Sequence, residues 1–156
     1  MITPANYGLL SSVYTSLAGT GLQPGQIQQV PNTPNVKMLV QNNPGGGTLP
    51  IGAALKFTSG YASSYEVDET AASAHTDYTL GVNDNAGATI PAGSYFWASI
   101  KGFCSPLVAT GTSIGQVVDS SAVAATLAPD GTLQTNIVAA AANSSGSPAQ
   151  TLCYIY

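Results

Sequence analysis

Charge is what this chain has least of. Ten of its 156 residues are Lys, Asp or Glu, 6% of the chain, against roughly 25% in ordinary soluble domains. Arginine is absent, and the lysines are Lys37, Lys56 and Lys101. A nucleic-acid partner is excluded by this, because phosphate neutralisation needs a basic stripe. An anionic membrane surface is excluded for the same reason. His75 is the single histidine, and Cys104 and Cys153 are the only cysteines. No CxxC pair or repeated His supplies a metal set, so no metal site is expected. The serines include no GxSxG elbow, and a Ser-His-Asp triad would have to recruit the one histidine in SAHTDY. The run PGGGT at 44–48 lacks the GK[ST] ending of a phosphate-binding loop and reads as a linker. Glu66, Asp68 and Glu69 are close in sequence but abut a loop, so they read as solvated carboxylates rather than a glycosidase pair. The expectation is a protein with no catalytic residues, no cofactor and no small-molecule substrate. The start of the chain has no basic segment leading into an apolar run, and no run approaches the ~18 apolar residues of a membrane span. A soluble protein made in a cytoplasm is expected.

What is present is β-forming and neutral. Leu, Ile, Val and Phe number 34, about 22% of the chain and above the ~20% level below which a highly charged chain reads as disordered. A chain of this length buries roughly 70% of its unfolded surface, which allows a real core. Ser, Thr, Asn, Gln and Gly supply the polar surface in place of charge. From Ile51 onward, short runs such as IGAALKF, YTLGVND, SYFWASIKGF, SPLVAT, IGQVVD, TLQTNIV and QTLCYIY alternate with turn signals such as NDNAG, IPAG, ATGTS, APDG and NSSGSP. This spacing of ~8–12 residues predicts an all-β domain, a small barrel or sandwich. In IPAG, Pro91 and Gly93 fit the second and fourth positions of a type I turn. The alanine-rich runs 68–74 and 120–128 could each be a short helix.

Residues 1–50 differ. Six of the ten prolines lie there, a density that opposes helix interiors and central strands. The reading is an extended proline-rich arm over 1–50, carrying one short strand in NVKMLVQ, followed by a barrel-like domain over 51–156. The two cysteines, 49 positions apart, read as buried thiols rather than a disulfide.

Within 90–108 the chain gathers its only tryptophan and two of its three phenylalanines. Alternation puts Ser94, Phe96, Ala98 and Ile100 on one face, and Tyr95, Trp97, Ser99 and Lys101 on the other. The first face is core. The second opens on two large aromatics and must be covered, by the arm or by a neighbouring subunit. Tyr95, Trp97 and Lys101, with Val36, Met38 and Val40 of the arm strand, are therefore the candidate interface residues. Gly102 permits a bulge or a close backbone approach beside Phe103.

The order of segments IGAALKFTSG, an acidic stretch, LGVNDNAGATIPAGSYFWASIKGFCSPLVATG and SIGQVVDSS, before a closing half rich in Ala and Thr, resembles the head-decoration (capsid cement) proteins of tailed bacteriophages. The likeness covers about residues 51–156 and leaves the first fifty uncovered. It implies a small β-barrel or tulip-like fold and a homotrimer. It also implies a non-enzymatic role on the outer capsid surface of the virion, bound to the major capsid protein across capsomer junctions. The residues themselves leave two alternatives open. One is a glycan-binding β-module using exposed Tyr and Trp; the other is a different capsid, head-fibre or tail-tube building block.

Overall fold

The computed structural model describes residues 10–58, 65–70, 78–85, 89–129 and 136–156. His75, Asp77 and the Asp130-Gly131 half of the APDG turn signal lie outside them. The fold is all-β, as the alternating runs predict, and is built on a closed five-stranded barrel. The barrel strands are β2 (Val36–Asn42), β3 (Ala54–Phe57), β4 (Glu66–Glu69), β5 (Gly81–Val82) and β6 (Tyr95–Cys104). Going round, β2 pairs with β4, β4 with β3, β3 with β5, β5 with β6, and β6 returns to β2. The β2–β4 contact is parallel and the other four are antiparallel. A short β1 (Ile27–Gln29) extends the sheet beyond the first half of β2.

β6 joins the barrel to the rest of the molecule. Its ten residues span roughly 34 Å at the usual rise, more than the barrel requires. The first part, Tyr95 to Lys101, closes the barrel against β2. The last part, Gly102 to Cys104, pairs instead with β12 (Cys153–Ile155), which pairs in turn with β10 (Ile137–Ala139). The change of partner falls at Gly102, whose φ is 90°. A Cβ at that point would run into Asn35, and the Phe103 N–H donates to Asn35 Oδ1 at 2.8 Å. The ladder also slips between Val36 and Lys37 on the facing strand. The close approach anticipated from Gly102 is therefore present. A second sheet of β11 (Ala149–Gln150), β7 (Leu107–Val108), β9 (Leu127–Pro129) and β8 (Val118–Ser120) completes the C-terminal half.

Three apolar clusters follow from this arrangement. Val40, Leu55, Val67, Phe96 and Ala98 fill the barrel with Ile90 and neighbours. The opposite sides of β3 and β5, through Ala54 and Val82, pack against Cys104, Val108, Leu127, Cys153 and Ile155 in the C-terminal half. Leu10, Leu39 and Trp97 form the third, on the outside of the barrel. Neutral amides tie the loops down. Asn42 Nδ2 donates to the carbonyls of Gly47 and Ile90 at 2.8 and 2.9 Å, Asn83 Nδ2 to Pro50 at 2.8 Å, and Asn143 Nδ2 to Val108 at 2.7 Å.

Three expectations are corrected. Residues 1–50 are not an arm outside the barrel, because β2 lies between β6 on one side and β1 and β4 on the other. The seven residues of β2 contain no proline, so proline density around them did not prevent a central strand. The run 120–128 is not helical: it enters as β8, turns, and leaves as β9. The turn after Ile90 sits one residue later than expected. The Ser94 N–H donates to the Pro91 carbonyl, with Gly93 at φ 78° in the third position that a type II turn reserves for glycine.

Candidate interaction surface

The second face of β6 is covered from within the chain. Trp97 and Leu39 are fully buried, with Tyr14, Leu17, Leu22, Val30 and Tyr95 packed around them. The cover is the segment that leads into β1. It is pinned by a reciprocal backbone pair between Tyr14 and Tyr95, each bond 2.8 Å long, and by Lys37 Nζ donating to the Leu10 carbonyl at 3.4 Å. Of the candidate interface residues, Trp97 and Val40 are therefore interior, Val40 within the barrel. Neither can touch another subunit in this fold. Met38 is half-buried against the barrel core and Tyr95 half-buried against the cover. Lys101 is exposed, and Val36 is its cross-strand partner.

The exposed aromatic surface lies farther along, where β6 has left the barrel. On β12 the alternation is complete: Cys153 and Ile155 point inward, while Leu152, Tyr154 and Tyr156 point outward. Tyr154 stands opposite Phe103 on β6 and opposite Val138 on β10. Phe103, Tyr154 and Tyr156 form a row of rings. The first pair of centroids is 4.9 Å apart at 75°, and the second pair 5.1 Å apart at 71°. Edge-to-face geometry of this kind is favourable beyond the burial alone, and it holds the rings in place. Phe103 is 44%, Leu152 43% and Tyr156 66% exposed. An ordinary one-sided sheet carries polar residues on its outer face; this one carries rings and a leucine. Lys101 and Val36 lie at its rim, so two of the six candidate residues border the surface and its centre is elsewhere. The signal is present in LCYIY, where both alternating sets, Leu152, Tyr154 and Tyr156 against Cys153 and Ile155, are apolar or aromatic. A strand with two apolar faces needs two covers.

Ionisable side chains are few. Lys37 and Asp84 are half-buried neighbours at the joint between the cover, the barrel and the C-terminal half. Burial lowers the Lys37 pKa, with Asp84 opposing the shift. Burial raises that of Asp84, against Lys37, the Ser105 N–H and the Ser99 hydroxyl. Cys104 and Cys153 face each other across β6 and β12 as free, buried thiols. Burial pushes Cys153 up to about 11 and Cys104 farther still, the latter helped by Cys153 and Asp84. Neither thiol is a nucleophile at neutral pH. On β4, Asp68 faces Lys56 across the ladder and accepts from Asn43 Nδ2 at 3.1 Å. Among the described residues, no three His, Cys, Asp or Glu side chains could hold a metal ion. Comparison of the chain with protein-family models, curated proteins and solved structures finds no match.

Proposed function

We propose that this chain is a structural virion protein that decorates and stabilises a bacteriophage capsid, binding the major capsid protein across capsomer junctions on the outer surface. Its action is non-enzymatic and takes no cofactor, nucleic acid, membrane or small-molecule substrate. The observation that carries the reading is the exposed Phe103–Tyr154–Tyr156 row on a charge-poor β body. Tyr and Phe are enriched, and charge depleted, at the centres of protein interfaces. The resemblance over residues 51–156 supplies the identity of the partner, and the homotrimer it implies belongs to the same proposal. The experiment is to mix purified protein with undecorated capsids of the phage that encodes it and sediment them. Saturable co-sedimentation supports the reading, and protein left in the supernatant at micromolar concentration opposes it.

Exposed tyrosines also favour a second reading, a glycan-binding module of a viral fibre or adhesin. The ring geometry weighs against it, since neighbouring rings stand at 75° and 71° and offer no shared plane for a sugar. Retention on a polysaccharide column, with no capsid binding, would favour that reading over decoration.

A further inference from the structure

We infer that the turn formed by Gln23, Pro24, Gly25 and Gln26, with Tyr65 against it, binds a neutral saccharide. This goes beyond the decoration reading and does not rest on it. The site lies along the edge of β2 that carries β1 and β4, away from the ring row of β6 and β12.

The sequence QPGQ sets the turn. Pro24 and Gly25, the latter at φ 82°, take the second and third positions of a type II turn. The Gln26 N–H closes it on the Gln23 carbonyl at 3.1 Å, and the Gly25 N–H donates to Leu39 on β2 at 2.7 Å, which fixes the turn to the barrel. A turn of this kind holds its end residues within about 7 Å, so the two glutamines stand side by side. Around them is an open hollow of about 410 Å³, lined by Gly21, Gln23, Pro24, Gly25 and Gln26, a volume in the range of ligand sites. Tyr65 reaches the same turn from just before β4. Its carbonyl accepts from Gln41 on β2 at 3.1 Å, and its ring lies so close to Gly25 that a Cβ there would overlap it. The side chain is still 38% exposed. Its φ of 52° strains a bulky residue, and such strain recurs at ligand clamps.

The groups present select the ligand. A primary amide offers two N–H donors and a carbonyl acceptor, and among the described residues no partner takes up the side-chain amide of Gln23 or Gln26. Sugar hydroxyls are donors and acceptors at once and match such amides. The apolar C–H face of a sugar ring packs on the apolar face of a tyrosine. Charge then separates neutral sugars from acidic ones. No Lys, Asp, Glu or His occurs from Leu10 to Asn35 or from Phe57 to Tyr65. The three lysines are placed elsewhere. Lys37 donates to the Leu10 carbonyl, Lys56 faces Asp68, and Lys101 pairs with Val36, level with Gln29 at the other end of β1 from the turn. An anionic sugar or a phosphate finds no counter-charge here, and Glu66, the residue after Tyr65, opposes it further. A neutral sugar needs none.

The test is an array of immobilised oligosaccharides probed with the full chain at about 100 µM, enough to register weak specific binding. The neutral probes are glucose, galactose, mannose and N-acetylhexosamine chains, and the acidic ones are sialylated, uronic and sulfated chains. Titration calorimetry follows with the neutral chain retained best. A neutral chain should bind and the acidic ones should not. Affinity should change less than about twofold between about 50 and 500 mM NaCl, since no ion pair is there to be screened. The double variant Gln23→Ala, Gln26→Ala should keep the wild-type far-UV dichroism and weaken binding about tenfold or more, the loss expected when the hydrogen bonds of two amides go. Tyr65→Gly removes the ring and relieves the positive φ, so it should stay folded and lose as much. Tyr156→Ser, on the ring row, should bind sugar as wild type does. Retention of no neutral sugar overturns the inference, as does retention of acidic sugars alone. So does sugar binding that survives the glutamine and Tyr65 changes, or that Tyr156→Ser abolishes. Capsid binding is read separately. A chain that binds sugar through Tyr65 yet ignores capsids removes the decoration reading and leaves this one standing. A chain that coats capsids but retains no sugar does the reverse.

Discussion

At the residue scale, Trp97 is the most informative side chain. It is the only tryptophan, it is fully buried, and its cover is the segment from Leu10 to Val30. Its emission should be that of an apolar site and be poorly quenched by acrylamide. Trp97→Ala should cost about 3–5 kcal/mol in urea unfolding, the range for removing a large buried ring; a loss below ~1 kcal/mol would mean that the cover is not in place. The cysteines give a pH-dependent expectation. Burial raises the Cys153 pKa in the fold from 9.0 to about 11, so protons are held more tightly folded than unfolded. Its contribution is complete below pH ~8.5, where an unfolded thiol is protonated, and is lost as the pH climbs towards 11. Stability measured between pH 8 and 11 should fall over that interval, and Cys153→Ala should flatten the fall. Thiol reagent at pH 8 should find two free thiols after unfolding and react only slowly before it. Alternation and residue type made several of these features readable in advance: the inward Ser94, Phe96 and Ala98 though not Ile100, which is half-buried, the free thiols and the close approach at Gly102. The burial of Trp97 was readable only as a need for cover, because alternation shows that a face must be buried and not what buries it.

At the element scale, β2 carries the main correction. Its composition marked it as a strand, but the prolines on either side suggested a strand outside the barrel. Pairing partners are set by non-local contacts, and β2 meets β6 from 54 (Gln41 with Tyr95) to 65 (Val36 with Lys101) residues later in the chain. Sequence periodicity carries no information about that distance. The outward face of β12 is legible in LCYIY, where Leu152, Tyr154 and Tyr156 alternate with Cys153 and Ile155. Deleting residues 1–48 removes β1 and β2 and opens the barrel, so the fragment should lose its β dichroism altogether. Deleting residues 1–24 keeps every barrel strand and strips much of the cover. That shorter deletion should stay folded with Trp97 emission shifted to the red, and a folded 49–156 fragment would refute a barrel closed by β2 between β4 and β6. Gly102→Ala tests the joint between barrel and C-terminal half. With φ at 90° and Asn35 against the position, the methyl should cost at least ~2 kcal/mol from strain and overpacking together.

At the scale of the whole molecule, low charge and amide-satisfied loops describe one design. Asn42, Asn83 and Asn143 hold loop carbonyls through neutral amides. Three lysines and seven acids supply few intermolecular ion pairs, and exposed pairs contribute at most ~1 kcal/mol each. Binding through such a surface has to come from apolar contact, which salt does not screen. The proposed decoration is therefore tested most directly by a binding isotherm of the full chain on undecorated capsids of the phage that the proposal takes to encode it, at 50 and 500 mM NaCl. Saturable binding at a fixed ratio to the capsid subunit is expected, with an affinity that changes less than about tenfold between the two salts, whereas a phosphate-neutralising protein loses several decades. Absence of saturable binding at either salt, or a steep loss at the higher one, would contradict decoration through an apolar face.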